Sequence, residues 1–170
     1  MEASIQNIQK TREDKLVQAR KENLQRMADI EHRLEFVDVV NGVQYIDDAK
    51  STDINSTWYS MDCLEAPIIW IVSSNQYEDE YDLFNEIDTR KIKALIIMGG
   101  AQEELKKRFE SKVELIGTVN TFHEAVSHAM LVSNAGGSVL FSPACSDYAS
   151  FKHYKEAGQL FRQAVREAQL

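Results

Sequence analysis

Apolar residues fall along this chain in short runs, and the character of those runs changes near residue 33. Residues 34–40 and 43–46 are two apolar-rich runs around Asn41-Gly42, a dipeptide that tolerates the positive backbone angles of a tight hairpin turn. Two antiparallel strands are predicted there. A helix is predicted over 54–64, and Pro67 then opens a continuous apolar run at 68–72. A helix is expected within 80–87, a buried strand at 94–98 ended by Gly99-Gly100, and a short helix at 102–109. Strand 113–116, helix 121–132, strand 138–141 and a long helix over 148–168 complete the pattern. Short apolar strands alternating with helices predict an α/β fold: a Rossmann-like, mostly parallel sheet with helices on both faces, led by a β-hairpin.

Residues 3–30 differ from the rest. They lack Gly and Pro, are rich in Gln, Lys, Arg, Glu and Leu, and carry a loose apolar stripe at Ile5, Ile8, Leu16, Val17, Leu24, Met27 and Ile30. An added N-terminal helix is expected, docked on the same chain, on a second copy as a homodimer, or on a partner protein. Charge marks the same boundary. Residues 1–33 hold seven Lys/Arg against six Asp/Glu, a net of +1, and the remainder twelve against twenty-one, a net of −9. The expected division is a helical extension, 1–31, and one domain, 32–170.

Composition excludes several classes. A net charge of −8 opposes a nucleic-acid role, because neutralising phosphates needs clustered cations. The longest apolar run, 66–72, is too short to span a bilayer, and the N-terminus has no apolar signal-like core, so neither a membrane nor an export role is expected. Cys63 and Cys145 form no disulfide framework and match no zinc spacing, which fits a cytoplasmic setting and no metal site. His123 and His128 are five apart, off the spacing that shares a metal on one helix.

In an α/β sheet of this kind ligands sit beyond the carboxyl ends of the strands. The loops at 48–53, 73–77, 99–100 and 142–146 are therefore expected on one edge. The first of them, Asp48-Ala49-Lys50-Ser51-Thr52-Asp53, suits an anion: Lys50 brings a mobile positive charge, Thr52 a hydroxyl, and the following helix start free N–H groups. Other readings stay open. Lys50 and Asp48 form a surface ion pair, or Thr52 or Asp53 simply caps the helix; Ser142-Pro143 is a plain turn; Trp58 and Trp70 belong to the core.

Four segments together resemble a known family: His32-Arg33-Leu34-Glu35, Asn41-Gly42-Val43, the 48–53 loop, and Ser142-Pro143-Ala144-Cys145-Ser146 followed by Phe151-Lys152. From about residue 32 to 168 the chain looks like the C-terminal domain of the Mur ligases, in their D-glutamate-adding branch; Gly158 and Phe161 fall at matching offsets. Those enzymes use three domains, for the UDP-sugar substrate, for ATP with its P-loop and magnesium, and for the incoming amino acid. The resemblance implies nucleotide contacts for Arg33, Asp48 and Lys50, a catalytic place for Lys50 near the transferred phosphate, and carboxylate binding by Thr52 and Ser142. It implies D-glutamate or a nucleotide as ligand. These 170 residues contain no G-x-x-x-x-G-K-[ST] loop, so ATP and Mg would act only with an ATPase domain supplied by another chain, and no cofactor is expected for the domain alone. The pattern also departs from the family's. Ser73-Ser74-Asn75-Gln76-Tyr77 stands where the family has a Gly-Gly turn and a Lys that pairs with the amino-acid side chain, Asp53 where it usually has Asn, and Glu31 where it usually has Pro.

Overall fold

The computed structural model describes residues 30–73, 81–100, 102–146 and 151–169. The expected N-terminal helix over 3–30, apart from its last residue, and Tyr77 lie outside them. Two strands, β1 (Glu35–Val40) and β2 (Val43–Asp47), form the hairpin. Its turn residues Asn41 and Gly42 have φ of 52° and 78°, the sign this turn requires, and an added Cβ at Gly42 would sit 3.0 Å from that of Ala135. Then follow α1 (Ile54–Cys63), β3 (Ile68–Ser73), β4 (Ile92–Met98), α2 (Gln102–Phe109), β5 (Leu115–Val119), α3 (Phe122–Val132), β6 (Ser138–Phe141) and α4 (Tyr154–Glu167). The sheet runs β1-β2-β6-β3-β4-β5; β1 is antiparallel to β2, and every other neighbouring pair is parallel.

Burial explains the continuous apolar strands. All six residues of β3 are buried, because both faces of the sheet are covered. Ile69 and Ile71 face one layer, with Ala125, Val126 and Ala129 of α3 and Ala157, Phe161 and Val165 of α4. Ile68, Trp70 and Val72 face the other, with Ile54 and Met61 of α1 and Leu105 and Phe109 of α2. Parallel strands bring the ends of β2, β3, β4 and β6 to one edge, as the loop argument requires.

Three elements differ from expectation. The segment expected to hold a helix within 80–87 is a 3₁₀ stretch, Tyr81–Glu86, that drives Phe84 into the Trp70–Phe109 cluster. The last-placed edge strand runs Leu115–Val119, not 113–116. Val113 is instead buried with Leu105 and Phe109, its N–H closing on the Phe109 carbonyl at 2.9 Å, while β5 is a half-exposed edge strand whose apolar pattern is interrupted by Gly117 and Thr118. The last helix begins at Tyr154, later than expected: His153 caps it, and Phe151 is held outside it by stacking on Phe122 at 5.4 Å. Trp70 is core as expected. Trp58 is half-buried at the rim, edge-on to Tyr59.

Candidate anion site at the carboxyl edge of the sheet

Two adjacent carboxylates end β2, and each anchors a different set of loops. Asp48 is fully buried; its Oδ1 accepts the Leu34 N–H at 3.1 Å and its Oδ2 accepts the Ser142 hydroxyl at 2.8 Å. With its proton committed to Asp48, the Ser142 oxygen accepts from Thr57 Oγ1 at 2.7 Å. The Ser142 carbonyl is held by Trp70 Nε1 at 2.8 Å, and its N–H donates to the Ile71 carbonyl. Burial pushes the Asp48 carboxyl up to about 6, against the hydroxyls of Ser51, Ser60 and Ser142 and the charge of Arg33, which favour its ionised form.

Asp47 is buried beside it. Its Oδ1 accepts the Ala49 N–H at 3.0 Å, and its Oδ2 meets both His32 Nδ1 and Arg162 Nε at 2.6 Å. A 2.6 Å contact between a carboxylate and a ring nitrogen requires the proton between them, so His32 carries hydrogen on Nδ1. Arg162 also donates to Glu35, whose carboxylate accepts the His32 N–H at 2.9 Å. The ring of His32 occupies space that only glycine leaves open: a Cβ on Gly158 would lie 2.1 Å from His32 Nδ1 and 2.8 Å from Asp47 Oδ2.

On this buried base the loop turns outward. The Lys50 N–H donates to the His32 carbonyl at 3.0 Å, the Ser51 N–H to the Asp48 carbonyl, and the Ser51 carbonyl accepts from Ala144. Lys50 is half-buried, its ammonium 5.9 Å from the centre of the Tyr154 ring rather than on Asp48. Thr52 is half-buried too. The helix cap falls to Asp53, which takes the Ser56 N–H at 2.8 Å and the Ser56 hydroxyl at 2.7 Å.

The candidate residues Arg33, Asp48, Lys50, Thr52 and Ser142 thus share one edge, on three loops bonded to one another. They divide by exposure. Asp48 and Ser142 are wholly buried and bonded to the protein, whereas Lys50 and Thr52 are partly open. Arg33 is 8% exposed, and its Nε, like His32 Nε2, has no hydrogen-bond partner among the described residues. The Arg33 Nε–H, a buried donor left unmatched beside a half-open lysine, fits an anionic ligand. Among the described residues no three His, Cys, Asp or Glu side chains come together to hold a metal ion, and no helix is long and apolar enough to cross a membrane. Sequence reasoning missed Asp47, Thr57, Tyr154 and Arg162. Asp47 was within reach, as an acid at the end of a buried strand; Arg162, 115 residues away from its partner, has no local signal.

A mostly parallel α/β sheet, with basic and hydroxyl residues on the carboxyl edge where such folds place their ligands, defines a Rossmann-like α/β domain. No family model matches the chain. Curated relatives do. The UDP-N-acetylmuramoylalanine--D-glutamate ligase of Porphyromonas gingivalis is 36% identical over 148 residues, 87% of this chain and 33% of its own length. The proteins of the same name from Christiangramia forsetii and Chlorobium chlorochromatii are 35% and 37% identical over 86% and 81% of the chain. Over most of its length the chain is similar to one domain-sized part of these D-glutamate ligases, consistent with a partial, C-terminal-like domain, and it spans about a third of the length of these relatives.

Proposed function

We propose that these residues form the amino-acid- and nucleotide-facing domain of a Mur-type ligase. By themselves they do not catalyse ligation; they retain a weak site for a nucleotide phosphate or an amino-acid carboxylate. The observation that carries this reading is the half-open Lys50 on a loop whose backbone is fixed by two buried carboxylates, beside the unmatched donor of Arg33. A loop built at that cost in buried charge is more than a turn. Lys50 and Arg33 meet the phosphate, and Thr52 offers its hydroxyl to a carboxylate. Asp48 and Ser142 act from beneath, as the buried support of the loop. The ATP and Mg chemistry of ligation belongs to the P-loop, which this sequence does not contain.

Homology to the D-glutamate ligases favours a second reading, in which the chain is the amino-acid-binding component of a split D-glutamate-adding ligase whose ATPase part is another chain. Calorimetric titration with D-glutamate, L-glutamate and Mg-ADP separates the two. Millimolar binding lost in Lys50→Ala supports the site, and a clear preference for D-glutamate supports the split enzyme. No heat with any of the three ligands at millimolar concentration overturns both.

A further inference from the structure

Tyr154, Gly158 and Arg162 are spaced four residues apart on α4 and form one stripe of that helix. The stripe faces the 47–52 loop, and each member meets it differently. Tyr154 places its ring 5.9 Å from the Lys50 ammonium and edge-on to His32, with ring centres 6.0 Å apart. Gly158 leaves the gap that the His32 ring fills. Arg162 donates to Asp47 and Glu35 at once, and Asp47 in turn holds the His32 ring. Lys50 is therefore linked to this helix at both of its ends: directly, by the ammonium that lies over the tyrosine, and indirectly, by a backbone N–H bonded to His32, whose ring is held by Asp47, itself held by Arg162.

We propose that Tyr154 and Arg162 are positioning residues for Lys50, an inference that rests on the anion-binding reading of that lysine. A lysine on a loop samples many rotamers, and an aromatic face at this distance narrows them by attraction between the charge and the ring electrons. Arg162 works on the other end. It bridges Asp47 and Glu35, fixing the turn from which the His32 carbonyl receives the Lys50 N–H. Neither residue touches the ligand; both set where the positive charge waits for it.

The test uses the full chain and two readouts. In NMR spectra the ε-methylene protons of Lys50 carry an upfield ring-current shift, and the amide protons of Ala49 and Lys50 exchange slowly. Tyr154→Phe should keep the shift, whereas Tyr154→Leu should abolish it and weaken Mg-ADP binding about tenfold. Arg162→Gln should speed exchange of the two amides at least about tenfold and weaken binding as well. Arg162→Lys, which keeps the charge and loses the fork, should fall between, and supplies the comparison if Arg162→Gln does not fold. A wild-type Lys50 shift in Tyr154→Leu, or unchanged amide exchange in the Arg162 variants, overturns the proposal. Failure of the wild type to bind Mg-ADP, D-glutamate or L-glutamate would overturn the functional reading instead, while the NMR signals would still decide the positioning.

Discussion

Replacing Gly158 with alanine sets two well-characterised effects against each other. In the interior of a helix, alanine is favoured over glycine by about 1 kcal/mol, and α4 is regular through this position. The new methyl, however, would sit 2.1 Å from His32 Nδ1, 2.7 Å from its Cε1 and 2.8 Å from Asp47 Oδ2. Neither neighbour is free to yield: the His32 ring is fully buried and bonded to Asp47 at 2.6 Å, and Asp47 is bonded in turn to Arg162 and Ala49. The ring must retreat by ~1 Å or more, which breaks its bond to the carboxylate. Overpacking costs about 1–3 kcal/mol and loss of a bond to a charged group about 1.5–3. Subtracting the helix gain leaves a net destabilisation of about 1.5–5 kcal/mol, or roughly 3–20 °C in Tm for a domain of this size. Urea and thermal unfolding followed by circular dichroism measure it, with Gln159→Ala, an exposed neighbour on the same helix, as the control for helix propensity. In a His32→Ala background the same glycine substitution should lose at least half of its penalty, because the main clash has been removed. A neutral or stabilising Gly158→Ala in the wild-type background would refute the account of how α4 meets the turn.

Asp48 makes the fold pH-dependent in an unusual direction. Its carboxyl titrates at about 6 when folded, above its unfolded range, so the folded state binds the extra proton and the contribution of this group to stability is greatest below about pH 4 and declines as pH rises through 6. The stability difference between wild type and Asp48→Asn should therefore shift by about 2 kcal/mol between pH 4.5 and 7.5, with the wild type relatively stronger in acid; urea titrations at both pH values would show a constant difference if burial does not act this way. Lys91 closes the end of α1, its ammonium reaching the carbonyls of Met61, Asp62 and Leu64 at 3.0–3.3 Å, so Lys91→Met should cost about 1–2 kcal/mol in the same assay, and no change would show that water serves those carbonyls equally well. Trp70→Phe removes the indole bond to the Ser142 carbonyl and opens space between Phe84 and Phe109; a loss of about 2–4 kcal/mol is expected, and a loss under about 1 kcal/mol would mean the carbonyl finds another donor.

Asn41-Gly42, the apolar run at 68–72 and the alternation of strand with helix were enough to define the architecture, because burial on both faces of a parallel sheet writes itself as continuous hydrophobicity and tight turns demand particular residues. Lys50, Thr52 and Ser142 were legible as candidates for a related reason: in such a sheet the loops after the strands must share an edge. Where the signal was weak the structure decided. Residues 81–86 and 115–119 are short or half-exposed, and their periodicity is correspondingly faint. The division of labour at the site was beyond the sequence altogether. Asp47, His32, Glu35 and Arg162 are spread over 131 positions and become one bonded cluster only when α4 is laid against the hairpin. That docking buries Asp47 and His32, sets the Tyr154 ring beside the half-open Lys50, and requires that residue 158 have no side chain, while Asp48 and Ser142 are held on the other side by Ser60 and Thr57 of α1. Periodicity reports which residues face inward; which inward-facing charges meet is set by how the elements pack.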